Sequence, residues 1–599
     1  MKIKHFFATA LLAMLFAGCS KDSIDQTEVD NGGVIDPTGT GWVSLQVGTP
    51  TQPFNTRALH DPDIMDGTAA ETTVTEFMAI FFTDAGNLTT AKLIGRGDDE
   101  FGNPNQPNGD HGEAFQVPAA SKRIFIAANP SGAFKARVNA AVTALPTVVT
   151  TFATLNAVLT DTETPLTEIT ATGKFMMTNA KGGLEPSNSD GTDKNLVLYN
   201  SKSNAEASPL AINVDRVVAK VRVFLSYTGD LSDNANIASP GWILNVTNKK
   251  FFPASQRVAT WNEGSVNAAD GGAPRNSFIT PFDQYRIGSY RIDPNYATQP
   301  DFAPPAQYNV EYNYIYDAAT VAPAAWNAMN TNATAGAGGQ EYCLENTQPA
   351  DFNIWAYTTQ AVLKAEFLPK GLRVPKVLTD IEIVAPGALY NVSADGVVGG
   401  EVQTGTDWIM MSDSYGNDGY YTWDLLMLWL QEELTYKYLL DDATNSIVNN
   451  PTLSNALNAY LVGIVAGAVT ITDGTAPMTL GDAQTAAATI VTAFKAKKAA
   501  VVAKGAFRVG SMSYYKGGVS YYPIMIKHDN NDAANVINEL GEFGVVRNSV
   551  YDIHISKINN PGYPNFPQPT QTPDEDNQYW LSVKIDVNPW TWYTQTEQL

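Results

Sequence analysis

Tyr579-Trp580-Leu581-Ser582-Val583-Lys584-Ile585-Asp586-Val587, close to the end of a 599-residue chain, is the stretch whose reading decides the fold. In an extended backbone Tyr579, Leu581, Val583, Ile585 and Val587 share one face, and Ser582, Lys584 and Asp586 share the other. This is the period-2 pattern of a strand with an apolar side. A proline-rich stretch, Pro561 to Pro573, precedes it. A spacer lets a strand leave its own domain, and a terminal apolar strand can then enter a groove on another copy of the chain.

The opposite end carries a counterpart. Met1-Lys2-Ile3-Lys4 leads into an apolar run from Phe6 to Ala17 and then Gly18-Cys19. Basic residues, a short apolar segment and small residues before a cysteine form a secretory signal. The run is too short to span a bilayer comfortably. The spacing predicts lipoprotein processing over residues 1–18, with Cys19 acylated and Ser20-Lys21-Asp22 opening a polar tether. An ordinary signal peptide with a chance cysteine is the plainer alternative. A second alternating strand follows, with Val43, Leu45 and Val47 set against Ser44 and Gln46. Pro50 and Pro53 break it, and Asn55-Thr56-Arg57-Ala58 comes next. An arginine on a proline-flanked polar loop suits a trypsin-like protease. Cutting between Arg57 and Ala58 would release residues 19–57 and leave an apolar groove open.

Composition narrows the class. Hydrophobic content of 44% and aromatic content of 10% support a packed core, whereas charged content is only 17%. With abundant Gly, Pro, Thr, Asn and Tyr, this suits a mainly β extracellular protein of two or more domains. The formal net charge of −23 disfavours nucleic acid and anionic membranes. After Cys19 the one remaining cysteine is Cys343, which leaves no internal disulfide and is read as a buried structural thiol.

Further strands are expected at Val74–Phe82, Lys122–Ala128, Lys174–Thr178, Asn213–Leu225, Tyr521–Ile526 and Val545–Ile558. Residues 134–160 fit a short helix. Thr422 can cap a helix with Trp423, Leu426, Met427, Leu430 and Leu434 on one stripe, and Asp482 can cap an Ala-rich helix stopped by Gly505. The polar stretch 184–208 marks a boundary between domains 58–208 and 209–560, the latter with helical insertions. Residues 561–599 hold the spacer and terminal strand.

Several segments in this order resemble the fimbrillins of Bacteroidales, the type V pilins, and among them shaft subunits of short fimbriae. The resemblance is carried by Val545-Val546-Arg547-Asn548, the proline-rich stretch, and Leu581-Ser582-Val583-Lys584-Ile585-Asp586-Val587-Asn588-Pro589-Trp590. Arg216-Val217-Val218-Ala219-Lys220-Val221, Leu344-Glu345-Asn346-Thr347 and Phe175-Met176-Met177-Thr178 support it. It implies a mainly β fold with a few helices, arranged as two transthyretin-like β-sandwich domains. It further implies export as a lipoprotein, cleavage after Arg57 by an Arg-specific protease, and a donor strand (Tyr579, Leu581, Val583, Ile585, Val587) that takes the place of Val43, Leu45 and Val47 in the next subunit. The expected partners are copies of the chain in a head-to-tail filament, anchor and tip fimbrillins, and host or bacterial surface ligands, at the outer membrane or in a surface fimbrium. A tip or accessory fimbrillin, or a glycan-binding surface lipoprotein, is the alternative.

Chemistry is not evident. His5, His60, His111, His528 and His554 form no metal-ligand spacing, and no nucleophile elbow or phosphate loop occurs. Neither cofactor, metal nor catalysis is expected. Asp413 to Gly419 lacks the spacing of a calcium loop and reads as a solvated turn. Arg96-Gly97-Asp98 is a tripeptide that some adhesion receptors read, but it is common by chance.

Overall fold

The computed structural model describes residues 38–48, 67–102, 111–180, 183–186, 195–226, 230–257, 290–297, 310–331, 339–373, 397–411, 419–423, 427, 431, 480–496, 507–509, 512–528, 541–568 and 581–589. Strands dominate these residues. In chain order the N-terminal part contains β1 (Thr40–Val43), β2 (Leu45–Gly48), helix α1 (Ala69–Thr72), β3 (Glu76–Phe82), β4 (Leu88–Gly95), β5 (Phe115–Pro118), β6 (Arg123–Ala128), α2 (Gly132–Thr143), β7 (Met177–Asn179), α3 (Lys202–Ala207) and β8 (Leu210–Arg216). Six of the strands form one sheet in the order β2-β8-β7-β6-β3-β4, and β1 pairs separately with β5.

The central strands β3 and β6 are apolar on both faces, and nearly every residue in them is buried. That is what a strand covered on two sides requires. Ser131 caps α2 by accepting from Phe134 N. Phe134, Val138 and Ala141 of α2 then join the core built on Phe77, Phe81, Phe125 and Ile126.

The C-terminal part contains β9 (Val218–Leu225), β10 (Ala235–Asn245), β11 (Gln340–Leu344), β12 (Gln360–Arg373), β13 (Val397–Glu401), β14 (Trp408–Met411), β15 (Gly419–Tyr421), α4 (Leu480–Lys495), β16 (Phe507–Val509), β17 (Met512–Tyr515), β18 (Val519–Met525), β19 (Ser549–Ile558) and β20 (Leu581–Pro589). β9 lies between β11 and β19, and β20 follows β19. A second sheet runs from β10 through β12 to β13 and β18. Val221 and Val223 of β9, Ile553 and Ile555 of β19, and Leu363, Ala365 and Phe367 of β12 share one core, so the two sheets pack as a sandwich. β14 to β17 form a smaller sheet in the order β15-β14-β17-β16.

The run Asn213–Leu225, expected as one strand, belongs to two sheets. β8 ends at Arg216 and β9 starts at Val218. Between them Val217 N donates to Met176 O, and Val218 O accepts from Asn548 N. The continuous β-branched pattern hides the crossing, because both halves are buried, charged residues included. The helix expected from Asp482 starts two residues earlier, at Leu480. Of the stripe expected after Thr422, Trp423 and Met427 are buried. Leu426, Leu430 and Leu434 lie outside the described residues.

Candidate functional site

The N-terminal strand is enclosed on both of its edges. On one side β2 pairs in parallel with β8, Leu45 opposite Leu210 and Val47 opposite Ile212, and Leu210 N donates to Ser44 O. On the other side Val47 N donates to Gly102 O at 3.0 Å and Gly112 N donates to Leu45 O at 3.1 Å. The backbones approach so closely there that a Cβ on Gly102 would lie 2.3 Å from Leu45 O, so only glycine fits. β1 extends the hold: Trp42 exchanges both backbone hydrogen bonds with Tyr199, and Ala119 N donates to Gly39 O. Ser44 Oγ donates to Gly112 O at 2.6 Å. Around this wall, Lys202 of α3 pairs with Glu113, and Ala114 N donates to Glu206 Oε1.

The side chains account for the enclosure. Val43, Leu45 and Val47 are 2%, 0% and 1% exposed and belong to the main core of the N-terminal part. At roughly 1.5–3 kcal/mol for each fully buried large aliphatic side chain, the three contribute about 5–9 kcal/mol gross. The strand therefore completes a core that would otherwise have an apolar slot open to water. Cys19, Arg57 and Ala58 lie outside the described residues.

The terminal strand is held differently. β20 pairs antiparallel with β19, with Val583 opposite Ile555, Ile585 opposite Ile553 and Val587 opposite Tyr551. Among the described residues it pairs with β19 alone and forms the end of its sheet. Leu581, which is opposite Ile558, starts the strand, and Tyr579 lies outside the described residues.

A buried polar network holds the C-terminal part internally through Glu345, Arg547 and Asn346 and ties it to the N-terminal part through Asn548, Lys220 and Tyr342. The motif residues met in the sequence converge on it. Glu345 and Arg547 form an ion pair at 3.1 Å with 1% and 2% of their side chains exposed. Arg547 also donates to Phe252 O and Pro253 O. Asn346 Nδ2 donates to Val246 O and Tyr357 O. Asn548 sits at a φ of 57°, which asparagine tolerates better than most residues, and its Oδ1 accepts from Arg216 NH1. Arg216 Nε donates to Glu71 O at 2.9 Å. Glu71 Oε1 accepts from Lys220 Nζ at 2.8 Å and from Tyr342 OH at 2.6 Å, while its Oε2 accepts from Thr68 N. Burial alone would raise the Glu71 pKa, but the Lys220 and Tyr342 hydrogen bonds outweigh it and hold the carboxyl at about 2. Glu71 is the residue missed by sequence reasoning. Its signal was the capping-box spacing Thr68-x-x-Glu71 at the start of α1.

No metal-binding group of acidic, histidine or cysteine side chains occurs among the described residues, and no described helix is long and apolar enough to cross a membrane. Cys343 is buried, and burial pushes its thiol pKa far up, which makes it a poor nucleophile. His528 is buried against the Tyr551 hydroxyl, and burial lowers its pKa to about 3. Arg96, Gly97 and Asp98 are exposed in the turn after β4, where Asp98 Oδ2 accepts from Gly95 N. Residues 412–418, with most of the proposed solvated turn, lie outside the described residues.

Residues 513–596 match the family model described as major fimbrial subunit protein type IV, fimbrillin, C-terminal. No curated protein matches the chain. Among solved structures it is similar to a fimbrilin from Porphyromonas gingivalis W83, at 13% identity and a TM-score of 0.33, covering 94% of this chain and 100% of that one. It is similar to a C-terminally truncated tip fimbrial protein from Porphyromonas gingivalis, at 11% identity and a TM-score of 0.26, over 63% of this chain and 96% of that one. A fimbrial assembly protein from Parabacteroides distasonis aligns at 12% identity and a TM-score of 0.23, over 54% of this chain and 95% of that one. The match to the family model is confined to residues 513–596.

Proposed function

From the premise that this chain carries a fimbrillin C-terminal region, we propose that it is a structural shaft subunit of an adhesive surface fimbria and polymerises by donor-strand exchange. The observation that carries the proposal is the contrast between the two terminal strands. Residues 40–48 fill an apolar slot and are bonded on both edges, so they leave only if the chain is cut. Residues 581–589 form the last strand of a sheet and can be lent elsewhere.

In this reading the precursor is exported as a lipoprotein acylated at Cys19. An Arg-specific protease cuts after Arg57, and Val43, Leu45 and Val47 depart with their strand. The terminal strand of the next subunit then enters the slot and restores the buried area. The contact is head-to-tail and does not close on itself, so it propagates. Until cleavage the chain's own strand blocks the slot and prevents early assembly.

The test is Arg57→Ala in producing cells. The substitution should leave monomers that retain residues 19–57, seen by N-terminal sequencing and negative-stain imaging of sheared material. Normal filaments from the variant would remove Arg57 from the mechanism. A tip or accessory role, or a glycan-binding surface lipoprotein, would not require the terminal strand, so a chain ending at residue 568 that leaves filament length and adhesion unchanged would favour those roles.

A further inference from the structure

The proline-rich stretch before the terminal strand does not behave as a free spacer along its whole length. Residues 561–568 are seated on the body of the C-terminal part. Pro561, Gly562, Pro564, Phe566 and Pro567 are buried, and only Asn565 and Gln568 are exposed. Tyr563 and Tyr521 of β18 exchange both backbone hydrogen bonds, at 2.8 and 2.9 Å. A Cβ on Gly562 would lie 2.4 Å from Tyr521 O, so the chain presses directly onto that strand. Tyr515 OH donates to Gly562 O at 2.9 Å, and Tyr314 OH donates to Pro567 O at 3.3 Å. Phe566 fits among Ile243, Val362, Trp326 and Tyr521, with ring centroids 6.5 Å from Trp326 and 5.6 Å from Tyr521. Gln568 Nε2 closes the seat by donating to Tyr316 O at 2.6 Å.

Proline-rich segments suit such a cradle. Their backbone is already restricted, so docking on aromatic side chains loses little conformational freedom. We propose that residues 561–568 are the fixed root of the donor arm, staying docked while the terminal strand moves from its own sheet to the neighbouring subunit. Gln568 is then the pivot, and Phe566 is a positioning residue for strand transfer. The inference rests on the donor-strand reading and adds a geometric limit to it. Leu581 lies thirteen residues after Gln568, which allows at most about 45 Å between them in a fully extended chain. The slot of the receiving subunit must begin within that distance of the pivot. Tension along a filament would pass through the docked root into β18 and β12.

Two disulfide locks test the root separately from the reading beneath it. Tyr521→Cys with Tyr563→Cys joins a hydrogen-bonded antiparallel pair and fastens the root. His554→Cys with Lys584→Cys joins partners across β19 and β20 and fastens the strand at home. Both pairs have Cα separations that a disulfide spans. The full chain carrying the oxidised root lock should assemble within about twofold of its reduced form. The oxidised strand lock should stay monomeric until reduced. If the root lock also blocks assembly until reduction, the segment must peel away and the root is wrong. If the strand-locked chain assembles while oxidised, the donor-strand reading fails and the root falls with it. Hydrogen exchange on the unmodified protein provides a second check: residues 561–568 should be equally protected in monomer and filament, and loss of protection in the filament would overturn the proposal.

Discussion

The two terminal strands are both short, alternating and apolar on one face, yet the molecule holds them in opposite ways. β2 is bonded on each edge and its side chains complete a core. β20 is bonded to β19 and ends its sheet. A strand with two bonded edges and fully buried side chains opens only with its domain, whereas a strand at a sheet end can open locally. Retention therefore follows from position, and sequence pattern alone does not distinguish the strand that must be cut away from the strand that can be lent.

The largest effect should come from breaking the enclosed strand. Leu45→Asp places a carboxylate in a site with no exposure, and an unpaired buried charge is severely destabilising. Denaturant melts should show the N-terminal part unfolding or losing at least about 4 kcal/mol. Ending the chain at residue 568 should remove β20 with a smaller loss and leave a folded monomer. If the truncation unfolds the protein as thoroughly as Leu45→Asp, the two strands are not held differently.

Next comes the buried polar network of the C-terminal part. Glu345→Ala removes the carboxylate paired with the buried Arg547 guanidinium, which should cost about 3–5 kcal/mol in chemical denaturation. A change below about 1 kcal/mol would mean that the pair does not hold the C-terminal part together. The carboxyl of Glu71, which joins the two parts through Lys220 and Tyr342, gives a pH signature. Its folded pKa of about 2 lies below the ordinary glutamate value of about 4.5. Its contribution is therefore complete above about pH 4.5 and is lost as pH falls toward 2. Glu71→Gln should flatten that acid limb relative to the parent chain, and an unchanged limb would assign acid sensitivity to other groups. The smallest effect is expected at Leu93 on β4, which is 42% exposed. Leu93→Thr should shift stability by less than about 0.5 kcal/mol.

Much of this was legible in the sequence. Alternation marked residues 43–47 and 581–587, because a half-buried strand needs it. The mainly β character with few helices followed from composition and strand patterning. The breaks were less visible. Val217 connects two sheets inside one run of strand-forming residues, and the charged pair Asp215-Arg216 beside it does not mark a break because both side chains are buried. Glu71 looked like an ordinary acidic residue because Lys220, Tyr342 and Arg216 approach it only after folding. Pro561 to Pro573 read as a spacer because its docking partners, Tyr314, Trp326 and Tyr521, are remote in sequence. Local propensity carries no information about such a cradle.

The most direct measurement is an electron cryo-microscopy reconstruction of filaments sheared from producing cells, at a resolution that distinguishes side chains. The account predicts that the slot beside β8 is filled by residues 581–589 of the neighbouring subunit and that each subunit begins at Ala58. A slot still filled by Val43, Leu45 and Val47 of its own chain would contradict it.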